Sequence, residues 1–67
     1  MDIVLNNNNE HFEAAEMTVS ELLVLKNFTF KMLIVKINNQ LVPKDEYAMT
    51  VIRDGDDVTV LHLISGG

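Results

Sequence analysis

The sequence has no cysteine among its 67 residues. That excludes disulfides, thiolate nucleophiles and cysteine-ligated zinc. Basic residues are scarce: Lys and Arg number 5 against 10 Asp and Glu, a net charge of −5. Binding nucleic acid through its phosphates needs a basic face, which this composition does not supply. The balance suits docking on a basic partner surface instead. No apolar run approaches the length of a membrane span. No secretory leader is read either, because Asp2 stands where a basic segment would be and the asparagines at 6–9 break the apolar run. These absences predict a cytoplasmic protein that engages neither nucleic acid nor membrane.

Catalytic patterns are missing too. There is no phosphate loop and no nucleophile elbow. His11 and His62 are far apart and carry no partner motif, so both read as strand residues at the surface or an edge. Asp54, Asp56 and Asp57 lack calcium-loop spacing with a distal Glu and read as a solvated turn. Glu10, Glu13 and Glu16 read as a solvated strand edge. No metal site and no bound cofactor are expected, and the chain is not expected to be an enzyme.

What is present is an apolar content of 48%, enough for a core in one domain spanning 1–67. Ile3, Val4 and Leu5 open a strand, the asparagines at 6–9 form a turn, and 10–15 return as a second strand. Thr18 and Glu21 have the spacing of a capping box, and Val19, Leu22 and Leu23 follow as an apolar helical stripe ended by Asn27. Residues 31–37 alternate as a strand. Asn38-Asn39 is a tight turn, 40–42 a brief strand ended by Pro43, and 44–48 a helical turn or loop with Tyr47 as packing anchor. Gly55 occupies the demanding position of a turn before a last strand at 57–64. The order β-β-α-β-β-β predicts an α+β fold, a mixed sheet of four to five strands crossed by one helix.

The chain ends in Ile64, Ser65, Gly66 and Gly67. Glycines without Cβ pass a narrow channel and adopt unusual backbone angles. Ile64 and Ser65 form a short extended approach. A carboxylate has to be activated before it reacts, for example as an acyl-adenylate made from ATP. The expectation is a flexible tail at 64–67 whose working group is the free carboxyl of Gly67.

Four pieces make this reading specific: TVSELL at 18–23, INNQLVPKDEY at 37–47, DGD at 54–56 and the terminal GG. In this order and spacing the chain resembles the ThiS family of sulfur carriers over nearly its whole length. The resemblance implies the ubiquitin-like β-grasp layout and a role in making the thiazole of thiamine. It implies that Gly67 is adenylated by a ThiF-type enzyme and converted to a thiocarboxylate. The sulfur comes from a donor such as a cysteine desulfurase and passes to the thiazole synthase ThiG. Gly66 would be the flexible joint. Sulfur carried on the terminal carbonyl needs no cysteine in the chain. Departures from the family pattern are Ser65, Lys36 in the third strand, and Glu16 and Met17 before the helix.

The last strand has two possible registers. With Val58 and Val60 inward, beside Ile3, Leu5, Leu33, Val35 and Ile37, the outward residues Ile34, Leu61 and Leu63 lie near the tail root. Ile34, Lys36, Leu61, Leu63 and Ile64 are therefore the expected partner-docking residues. The alternatives are a small subunit of molybdopterin synthase of the MoaD type, a ubiquitin-like protein modifier, and a binding module without tail chemistry. A proline pair before the tail would mark the first, and none is present.

Overall fold

The computed structural model describes residues 1–28 and 32–63. Five positions with positive φ are asparagines, and they set the chain's reversals: Asn6 (50°), Asn7 (67°), Asn27 (59°), Asn38 (50°) and Asn39 (67°). Asparagine tolerates this region because its short side chain bonds locally. Asn6-Asn7 joins β1 (Asp2–Leu5) to β2 (Asn8–His11), with Leu5 opposite Asn8. Two consecutive positive φ values make a primed turn whose twist matches that of the flanking strands. The expected turn at 6–9 is thus corrected to two residues. Asn8 and Asn9 belong to β2, which ends at His11 rather than at 15. Asn38-Asn39 joins β4 (Leu33–Ile37) to β5 (Gln40–Val42) in the same way.

Between these hairpins lies α1 (Val19–Leu25). Both halves of the capping box form: Glu21 N–H donates to Thr18 Oγ1 at 3.1 Å, and Thr18 N–H to Glu21 Oε1 at 2.8 Å. At the other end, Phe28 N–H reaches Leu23 O at 2.8 Å and Asn27 N–H reaches Val24 O at 3.1 Å. This is a Schellman stop with Asn27 at the left-handed position. A seven-residue helix is too short to persist alone. It is held by Val19 and Leu22, both fully buried, and by Lys26, whose Nζ lies 3.2 Å from both carboxylate oxygens of Glu10 on β2.

The main sheet runs β2-β1-β7-β4-β5, with β7 (Asp57–His62) in the middle. It pairs parallel to β1 and antiparallel to β4, so the sheet is mixed, as expected. Two strands absent from the expected order are added. β3 (Glu16–Thr18) and β6 (Val51–Arg53) form a separate two-stranded sheet, with Met17 opposite Ile52. A 3-10 turn at Lys44–Glu46 leads to Tyr47, which packs on the core and accepts from Ser20 N–H in the helix's first turn. Val19, Leu22, Val35, Ile52 and Val58 are fully buried, and Ile3, Leu5, Met17, Val42 and Val60 complete the core. The inward register of Val58 and Val60 is the one adopted. Gly55, at φ +88°, makes the β6–β7 turn, and nothing lies within 4 Å of where its Cβ would be, so backbone conformation alone selects glycine.

Candidate functional site

Side chains alternate along a strand, and paired residues share a face. The register therefore places Ile34 beside Leu61, and Lys36 between Thr59 and Leu41, all on the face turned away from the core. Beyond β7, Leu63 N–H donates to Met32 O at 2.9 Å, so the pairing runs one step further. Leu41, Met32, Leu61 and Leu63 expose 64%, 49%, 47% and 42% of their surface. Together they make an apolar lane that begins at β5 and ends where the chain enters 64–67. Runs of exposed large apolar side chains of this kind are characteristic of partner surfaces.

Of the expected docking residues, Ile34, Lys36, Leu61 and Leu63 are thus brought onto one stretch of sheet. Ile64, together with Ser65, Gly66 and Gly67, lies outside the described residues. Leu41 and Met32 were not among the expected docking residues, although alternation puts Met32 on the face of Ile34 and Lys36. Leu41 stands in a three-residue strand, too short to show a period. Its place opposite Lys36 follows only from the hairpin register.

The other half of the same face is polar. Asp2 and Val4 on β1 stand beside His11 and Asn9 on β2, and His11 Nδ1 lies 2.8 Å from Asp2 Oδ1. On the apolar half the charged residue is Lys36, which makes no ion pair with any described residue. Asp57 shares the face two positions before Thr59, diagonal to Lys36. The turn aspartates are occupied structurally: Asp54 Oδ1 accepts from Asp2 N–H at 2.7 Å, and Asp56 Oδ2 from Arg53 N–H at 2.9 Å. Among the described residues no group of three His, Asp or Glu side chains is placed to hold a metal ion. Nor is any described helix long and apolar enough to cross a membrane. The face offers a surface for recognition, with the reactive group to be sought on the tail.

A model of the ThiS family matches residues 3–67. The chain belongs to the ThiS family. Its relatives include the sulfur carrier protein ThiS of Escherichia coli (strain K12), 35% identical over 54 residues, which cover 81% of this chain and 82% of the relative. A thiazole synthase of Paramagnetospirillum magneticum is 34% identical over 67 residues. These are all of this chain but only 20% of that protein's length. The crystal structure of the ThiS thiamine biosynthesis protein from Geobacter metallireducens superposes with a TM-score of 0.87 at 28% identity over the whole of both chains. The solution structure from the same organism gives 0.76 over 88% of that chain. The mixed sheet with its single helix is thus the ThiS β-grasp architecture. Within this ThiS family member, the apolar lane leads directly into the segment carrying Gly66 and Gly67.

Proposed function

We propose that the chain carries sulfur for formation of the thiamine thiazole. A ThiF-type enzyme docks on the open sheet face and receives the tail. The carboxylate of Gly67 attacks the α-phosphorus of ATP and pyrophosphate leaves, giving an acyl-adenylate. The terminal sulfur of a persulfide on a donor such as a cysteine desulfurase displaces AMP at the carbonyl carbon, and a thiol reductant then cleaves the acyl disulfide so formed, leaving the thiocarboxylate and a disulfide. The resulting thiocarboxylate delivers sulfur to a ThiG-type thiazole synthase. Gly66 supplies the joint, and Ile64 and Ser65 the extended approach.

The supporting observation is the apolar lane through Leu41, Ile34, Leu61, Met32 and Leu63, which runs into the tail of a ThiS family member. A thiazole synthase that is similar to all of this chain over 20% of its own length supports the pairing with such an enzyme. Family membership favours the thiamine pathway over the molybdopterin and protein-modifier alternatives.

Incubation with a cognate activating enzyme, ATP and a sulfur source should raise the intact mass by about 16 Da, sulfur for oxygen at an activated acyl group. Removing Gly66 and Gly67 should abolish the gain. An unchanged mass with partners of proven activity would refute the carrier role. Isopeptide-linked conjugates in cells would point to the modifier alternative.

A further inference from the structure

Lys36 is the basic residue of the mainly apolar half-face, with Asp57 diagonal to it, and it lies on β4, which is flanked by β7 and β5. Its cross-strand neighbours are Thr59 on one side and Leu41 on the other. The residue is half-buried already. No described residue supplies a counter-charge within ion-pair distance.

Reach decides whether a partner covers it. The segment 64–67 spans at most about 14 Å when extended. A protein acting on the Gly67 carboxyl therefore sits against the root of the tail, over Leu63 and Met32. Lys36 is four strand positions from Met32, about 13 Å along β4. A specific interface covers about 800 Å² on each side, a patch wider than that separation. Lys36 thus falls beneath the partner. An ammonium covered by apolar surface without a partner is strongly unfavourable.

Resting on the carrier reading above, we propose that Lys36 is a specificity-determining residue of the docking face. The enzyme that activates Gly67 presents an aspartate or glutamate carboxylate opposite it. That carboxylate accepts from the Lys36 ammonium, and the Thr59 hydroxyl is placed to donate a second bond. The charge pair fixes how the enzyme sits on a face whose other contacts are non-directional, and it selects against partners with a bare apolar or basic patch there.

The test measures ATP–pyrophosphate exchange by the activating enzyme as a function of carrier concentration, for wild type, Lys36→Met, Lys36→Glu and Lys36→Arg. Thermal melts confirm that each variant is folded. Lys36→Met, which keeps the stem, should raise the half-saturating concentration about 30-fold with turnover at saturation kept, because the enzyme's carboxylate is left unpaired. Lys36→Glu should raise it further, and Lys36→Arg should stay within a few-fold of wild type. If Lys36→Glu fails to fold, the Met and Arg variants decide. A Met variant that docks as well as or better than wild type overturns the proposal while leaving the carrier reading intact. Wild type that supports neither exchange nor the mass gain overturns both.

Discussion

Asn6 Oδ1 accepts a hydrogen bond from the backbone N–H of Val60 at 2.8 Å, joining residues 54 apart in the chain. The parallel pairing of β1 with β7 stops at Leu5 and Val58, after which β1 turns away into its hairpin. The Asn6 side chain takes over where the backbone ladder ends. Its own N–H donates to Val58 O at 2.9 Å, so one asparagine both makes the turn and clamps it to the central strand.

Replacing Asn6 separates these two roles. Asn6→Gly keeps the positive φ and loses the acceptor; Asn6→Ala loses both. The part-buried Val60 N–H is left unsatisfied in each, at a cost of about 1–3 kcal/mol. Asn6→Ala should be the worse by a further ~1 kcal/mol for a left-handed alanine. Urea denaturation checks the order. Equal stabilities for the two variants would show that the backbone angle contributes nothing.

The capping box should behave as a coupled pair. Thr18→Ala and Glu21→Ala each remove one side of a reciprocal arrangement and should each cost about 1 kcal/mol. The double variant should cost less than the sum, because the second deletion removes a bond already broken. Additive losses in a double-mutant cycle would contradict the reciprocity seen at Thr18 and Glu21.

Core and face substitutions should divide cleanly. Ile52→Ala, at a fully buried position, should cost about 2–5 kcal/mol. Leu61→Ser and Leu41→Ser, on the open face, should change stability by about 0.5 kcal/mol or less while weakening association with the activating enzyme. Denaturation midpoints and half-saturating carrier concentrations, measured on the same samples, distinguish the two classes. Loss of stability without loss of docking at Leu61 would remove it from the surface.

Tyr47 gives a pH dependence. Burial raises its phenol above the ordinary value, which is about 10 in the unfolded chain. Below that pH both states are protonated and the contribution is fully present. As pH rises, the unfolded state ionises first, and stability falls until the folded phenol also ionises. Tyr47→Phe keeps the ring and should flatten this alkaline slope. An unchanged slope in denaturation midpoints between pH 9 and 11 (about the phenol range) would assign it to other groups.

Much of this was legible in the residues because local chemistry decided it. Thr18 and Glu21 announced the helix start, Asn27 its stop, and the alternation of Val58 and Val60 the inward face. The place of Ile34, Lys36, Leu61 and Leu63 on the open face followed from the same alternation. β3 and β6 were not legible, since three residues carry no period and Met17 meets Ile52 only through distant pairing. The run of asparagines concealed where the turn ended, because Asn8 in a strand and Asn7 in a turn differ only in φ. The neighbours of β7 were settled by tertiary pairing, as in Val4 with Asp57, to which no local pattern points.

The central place of β7 also governs when the domain can exist at all. Synthesis makes the β1–β2 hairpin first and the β4–β5 hairpin later, yet the strand that lies between them is the last of the described elements to be made. Until residues 57–62 are free of the ribosome, the two hairpins have nothing to join them, and Val35 and Leu5 face an unfilled gap. Completion of the sheet therefore waits for β7, with its slow closure of distant pairs. A chain cut short before β7 thus has two hairpins and no finished sheet face.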